Sequence, residues 1–164
     1  MVSETDLFLQ ELQSTRNDIA HSHKTHEKER ERHAATSSRL RIWNVAIFGV
    51  AAASAISAPL LESSIAAWIA AASTTVGLIF TAVQLSATPA DDAASHNGAA
   101  KAYLELRNDY TRLISDVSNA SVTTHAHRTR RNQLADRLQA VERLAPPTSN
   151  EMYLVAKRSL AEGN

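Results

Sequence analysis

The sequence predicts an all-α fold: a two-span transmembrane helical hairpin with long cytoplasmic N- and C-terminal helices, oligomeric. Three observations carry this expectation. Residues 1–41 hold seven basic and seven acidic side chains and residues 91–164 hold ten and nine, whereas residues 42–90 hold one charge, Glu62. Within that quiet stretch, Ile42–Leu61 and Ser63–Ala90 are 20 and 28 residues without a charge. A helix of about 20 residues spans about 30 Å, the thickness of the hydrocarbon core. Third, a stripe of His96, Ala99, Tyr103, Leu106, Tyr110, Leu113 and Val117 recurs at alternating steps of three and four, the heptad spacing of a helix that packs on a partner.

Composition narrows the classes. The 164 residues hold 17 Lys+Arg and 17 Asp+Glu, so the formal net charge is zero. That balance gives no electrostatic footprint for nucleic acid, and none is expected as a partner. Cysteine is absent, which excludes disulfides and thiolate metal sites. Four Gly, four Pro and 5% aromatic residues favour helix over sheet.

The chain divides into a cytoplasmic N-terminal helix (1–41), a transmembrane hairpin (42–90, spans about 42–61 and 64–88), a cytoplasmic helical region (91–145) and a C-terminal tail with a short helix (146–164). Leu60–Ser64 is the only plausible turn, with Pro59 to close the first span and Ser63 or Ser64 to cap the second. So short a connection makes the spans antiparallel. Lys24, Lys28, Arg30, Arg32, Arg39 and Arg41 precede the first span and no Lys or Arg lies in the turn, so the positive-inside rule keeps the N-terminus cytoplasmic. Two crossings return the C-terminus to the same side. Trp43 suits an interfacial anchor, and Trp68 falls a turn inside the outer face. An Ala-rich soluble hairpin buried in a helical interaction module is the competing reading.

On the N-terminal helix, Phe8, Leu12, Thr15, Ile19, Ser22 and His26 recur on one face, and the alternating charges of 27–32 suit a solvated face. The helix has no Pro or Gly on its way into the first span, and Thr36-Ser37-Ser38 is the one place for a break. After the second span, Thr88-Pro89-Ala90-Asp91 has the form of a capping box. The run 118–124 weakens the next helix. A further stretch with Leu134, Leu138, Val141 and Leu144 on one side ends at Pro146-Pro147. Thr148–Glu151 can cap a last helix carrying Met152, Val155, Ala156 and Leu160.

Chemistry-bearing patterns are few. There is no glycine-rich phosphate loop, nucleophile elbow or framed carboxylate pair, so neither an enzyme nor a cofactor is expected. His21, His23, His26 and His33 cluster without cysteine or an HExxH frame, which reads as a polar helix face and not as a metal site. His125 and His127 sit with Arg128, Arg130 and Arg131 in a basic patch suited to anionic lipid headgroups or a nucleotide, and read first as a solvated helix end. In the second span, Thr74, Gly77, Thr81, Gln84 and Thr88 form a polar and small stripe. Polar groups are costly against lipid, so the stripe faces protein or water. It reads equally as close helix packing or as the lining of a pore built from several copies. Gly49, Ala53 and Ser57 give the first span a small face of its own.

Asp91-Asp92-Ala93-Ala94-Ser95-His96, running on to Ala99-Ala100-Lys101-Ala102-Tyr103-Leu104-Glu105-Leu106-Arg107, resembles the SLATT domain, a bacterial two-span effector domain associated with nucleotide-dependent conflict systems. His96 and Tyr103 carry the match, and the resemblance extends from about Arg30 to Asp116. It implies an antiphage membrane effector in the bacterial inner membrane, a homo-oligomer that opens a gated pore. It also implies a separate nucleotide-sensing or signalling partner, since no sensing domain is evident. A two-span adaptor or holin-like protein without gated conductance shares the topology.

Overall fold

The computed structural model describes residues 3–60, 64–86, 89–120 and 123–162, apart from the side chains of 57–60, 66 and 84–86. Among the described residues there are five helices and no strand: α1 (Glu4–Leu60), α2 (Ser64–Ser86), α3 (Pro89–Asn119), α4 (His125–Leu144) and α5 (Asn150–Ala161). They fall into two compact units, Met1–Glu31 with Ala93–Asn164, and Arg32–Asp92.

α1 starts at a reciprocal cap. The Asp6 N–H donates to Ser3 Oγ and the Ser3 N–H to Asp6 Oδ2, each at 3.1 Å. These bonds hold the Asp6 carboxyl below the usual carboxylate range. The helix then runs 57 residues without interruption, so Thr36-Ser37-Ser38 does not break it. The Thr36 hydroxyl donates back to the Arg32 carbonyl at 3.0 Å and is satisfied inside the helix. α1 ends at Leu60, one residue past Pro59. The turn residues 61–63, Glu62 among them, and the Thr88 end of the expected α3 cap lie outside the described residues.

The first unit is a four-helix assembly built on two complementary stripes. All seven residues of the α3 stripe are buried. On α1, Phe8, Leu12, Ile19 and His26 are buried and Thr15 and Ser22 half-buried, as a helix face meeting a partner requires. Leu134 of α4 completes the core, with Ile114, Leu138, Val141 and Ala145 packed around it. The partner of the α3 stripe is therefore the N-terminal part of α1 in the same chain, together with α4.

Local chemistry sets where the elements stop. α3 ends at Asn119, inside the β-branched and polar run. Thr124 caps α4: its hydroxyl accepts from the His127 N–H while the His127 ring accepts from the Thr124 N–H. α4 stops at Leu144 before Pro146-Pro147, as the restriction on residues preceding proline requires. Ser149 caps α5 through the Met152 N–H. Exposed ion pairs Arg128–Glu4 and Arg131–Glu11 (3.3 Å) join α4 to α1, and Arg137–Asp109 (2.6 Å) joins it to α3. Each adds little free energy, but together they define how α4 lies on its neighbours.

One expectation for this unit fails. The charged run 27–32 is not solvated throughout, because Glu29 is only 2% exposed. Its carboxylate accepts the Ser149 N–H at 2.7 Å, at the N-terminus of α5. In a capping box the N3 side chain returns to the N-cap N–H, but here N3 is Met152, and Glu29 of α1 takes that bond. The hydrogen bond is charge-assisted by the carboxylate, and the helix dipole favours an anion there.

The second unit pairs the rest of α1 with α2 and buries little apolar surface. Ile42, Trp43, Val45, Val50, Ile56, Ile65, Trp68, Val76, Leu78, Ile79 and Val83 are all more than half exposed. The apolar portion of α1 is long enough to cross a membrane by length and composition, and α2 contributes a shorter apolar helix, Ala67–Val83. Water is a poor solvent for so large an apolar surface, and lipid a good one.

Replacing Glu29 with Ala leaves the N-cap N–H of α5 without its charged acceptor and should weaken docking of α5 by about 1–3 kcal/mol. Amide exchange over 150–161 in the full chain should accelerate. Leu154→Ala, at a half-exposed position, should leave those amides unchanged.

Candidate functional site

In the second unit the middle of the polar stripe meets α1. A Cβ added at Gly77 would lie 3.2 Å from Ile47 Cγ2 and 3.2 Å from Phe48 Cε1 and Cζ. The glycine therefore permits a close approach that a larger residue would prevent. One turn on, the Thr81 hydroxyl donates to the Gly77 carbonyl at 2.8 Å and lies 3.4 Å from Asn44 Oδ1. A hydroxyl has one proton, so the shorter bond takes most of it and the Asn44 oxygen is a secondary acceptor. Thr74 is exposed and bonds back to the Ala70 carbonyl at 2.8 Å. Threonines are tolerated in an apolar helix because their protons stay within it.

The five stripe residues are thus not equivalent. Gly77 and Thr81 pack within the hairpin, Thr74 stands on its outside, and the Gln84 side chain and Thr88 lie outside the described residues. The face of α1 that receives α2 includes Asn44, Ile47 and Phe48. Gly49 and Ala53, read from the sequence as the packing face, are exposed, and a Cβ at Gly49 meets nothing within 4 Å.

In the first unit a polar cluster interrupts the apolar seam. His26 and His96, each 4% exposed, face each other with Nδ1 atoms 3.0 Å apart. The Tyr103 ring stacks on His26, centroids 5.4 Å apart and planes inclined 18°. Burial, then the neighbouring His96, pushes the His26 pKa down to about 4, with Glu29 opposing. Tyr103 is pushed up, first by burial and then by Glu142. An open cavity of about 310 Å³ adjoins the cluster and is lined by Ser22, Thr25, His26, Tyr103, Glu142 and Tyr153 among others. Its described lining includes no Lys or Arg, so a phosphate would meet no cation there.

His33 lies 3.7 Å from Asp92 in the second unit, and His125 and His127 belong to the first turn of α4. Among the described residues no group of three or more His, Cys, Asp or Glu side chains converges as a metal site. Of the basic patch on α4, Arg128 and Arg131 pair with acids of α1. Sequence periodicity found His26 and His96 separately on their stripes but carried no signal that they meet, since 70 positions divide them.

The apolar helices of the second unit are compatible with the two-transmembrane domain that the family description names. Residues 8–164 match the model of the SMODS and SLOG-associating 2TM effector domain family 4. The chain belongs to that family. As a SLATT member it is a membrane effector of conflict systems, with a two-transmembrane domain. The match covers α4 and α5 as well as the region from Arg30 to Asp116 that carries the sequence resemblance, so the C-terminal helices are part of the SLATT domain. No curated protein and no solved structure matches the chain.

Gly77→Leu should force α2 off α1 and weaken the hairpin by about 1–3 kcal/mol. Gly49→Ala should be neutral or slightly stabilising, since alanine is the better helix former by about 1 kcal/mol. Thermal unfolding of the two variants in detergent micelles checks the contrast.

Proposed function

We propose that this SLATT protein oligomerises in the bacterial inner membrane, with both termini cytoplasmic, and forms a gated pore that disrupts the membrane as an antiphage response. The observation that supports it most is the second unit itself. Its apolar side chains point outward over both helices, whereas its polar and small residues Gly77 and Thr81 point inward onto α1. Outward apolar and inward polar is the distribution of a membrane-embedded element whose polar face is held in reserve. One hairpin encloses no channel, so conduction requires several copies. It also requires α2 to turn or part from α1, because in this hairpin Gly77 and Thr81 of the stripe are occupied.

The four-helix unit is the proposed receiver of the signal. α1 and α3 each run unbroken across the boundary between the units, at Glu31–Arg32 and Asp92–Ala93, so a change in their contact has a helical path to the hairpin. The family description ties such domains to SMODS and SLOG proteins, which supports a separate nucleotide-related signalling partner. The cation-free lining of the cavity beside His26 supports delivery of that signal by a protein and not by direct capture of a phosphate there. The effect is physical disruption without catalysis. A two-span adaptor would share every feature except the conductance.

Alkaline extraction should leave the full chain in the membrane pellet, and release into the supernatant would return the soluble helical module to first place. In liposomes, Thr81→Leu with Gln84→Leu should abolish triggered conductance while crosslinking still shows the assembly. Unchanged conductance excludes α2 as the lining and favours the adaptor.

A further inference from the structure

The His26–His96 contact is a bond that protonation controls. Two neutral imidazoles with Nδ1 atoms 3.0 Å apart bond when one ring is protonated on Nδ1 and the other on Nε2. A first further proton can enter at the free Nε2 of the donating ring and leaves that bond intact, but once both rings are charged two donors face each other and two charges share a site where each ring is 4% exposed. The pair joins helices far apart in sequence, with His26 six positions before Arg32 on α1 and His96 four positions after Asp92 on α3.

We infer that His26 and His96 form a proton-operated latch between α1 and α3, closed while at least one ring is neutral and released when both are protonated.

The surroundings keep the latch closed at neutral pH. On α1, His23 and Glu29 act on His26, one opposing and one favouring its charge. The Glu29 carboxylate is already engaged by the Ser149 N–H of α5, which limits what it offers the imidazole. On α3, His96 opposes the charge and the Tyr103 ring covers one face of His26. From α4, Glu142 lines the same cavity and acts on Tyr103, and Tyr153 of α5 lines it too. His23 is itself lowered, first by burial and then, against Glu27, by Arg107 and Lys24.

The direction with pH follows from linkage. The pKa of His26 is about 4 in the closed state against 6.5 for the free ring. The open state therefore binds more protons between those values, and the latch is at full strength above about pH 6.5 and weakens as pH falls toward 4. If opening returns His26 alone to its free value, the opening equilibrium at pH 5 exceeds that at pH 7.5 roughly thirty-fold. The consequence of release for the membrane unit rests on the pore reading above; the latch does not.

The test uses the full chain in lipid nanodiscs. Protection factors for amides of 20–31 and 93–104, corrected for the intrinsic pH dependence of exchange, are compared at pH 7.5 and 5. The wild type should lose protection by more than tenfold at pH 5. His26→Asn with His96→Asn keeps an amide near each Nδ1 position, cannot titrate in this range, and should show a flat response. An unchanged wild type at pH 5, or an acid response in the double variant equal to that of the wild type, overturns the latch. Direct NMR titration of the wild-type rings guards against a double variant that fails to fold: a His26 midpoint below 5 supports the latch and one near 6.5 overturns it. Liposome conductance separates the two proposals. The exchange response without conductance at either pH retires the pore and supports the latch alone.

Discussion

The seam between α1 and α3 is the contact on which the first unit depends. Seven buried residues of α3, from His96 to Val117, lie against a face of α1 that is apolar at Phe8, Leu12 and Ile19 and polar at Thr25, His26 and Glu29. α4 closes this seam through Leu134, and α5 is tied to it through Glu29. The apolar half contributes most of the stability, because buried leucines, tyrosines and phenylalanines each remove a large area from water. The polar half contributes less and demands more. Every buried polar group there needs its own partner, and the loss of one leaves the other desolvated. The His pair and Glu29 thus concentrate sensitivity in one part of an otherwise ordinary helical core.

The second unit obeys a different solvent. Its helices show apolar side chains on the outside and use a glycine and a threonine where they meet, the reverse of a water-soluble hairpin. In lipid no hydrophobic force pulls two helices together, so close backbone approach at Gly77 and a polar contact between Thr81 and Asn44 take over. The same residues that hold the hairpin closed are those a conducting path would need.

Much of this was legible from residue order. The charge gap, the uncharged runs and the heptad stripe are one-dimensional patterns with direct physical meaning, because helix period and bilayer thickness are constants. The cap of α5 within Thr148–Glu151 and the stop before Pro146 were legible for the same reason: they involve residues a few positions apart. Two inferences drawn from small pieces did not transfer. Gly49 and Ala53 looked like a packing face, yet α2 settled on Asn44, Ile47 and Phe48, because a hairpin chooses among helix faces by the fit of both partners. Glu29 looked solvated within an alternating charge run, yet it is buried, because its partner is a backbone N–H 120 positions away.

By itself the sequence determined the all-helical class, the division into charged and apolar parts and the intrachain periodicities, since each of these rests on local composition or on spacing along a helix, and its resemblance to the SLATT domain pointed to the family. Only the tertiary structure decided that α1 continues unbroken to Leu60, that its N-terminal part is the partner of the α3 stripe, and that His26 meets His96. The physical reason is that these depend on which faces of distant helices come together. A hydrogen bond between two rings leaves no periodic trace in either segment, and it exists only once the chain has folded around it.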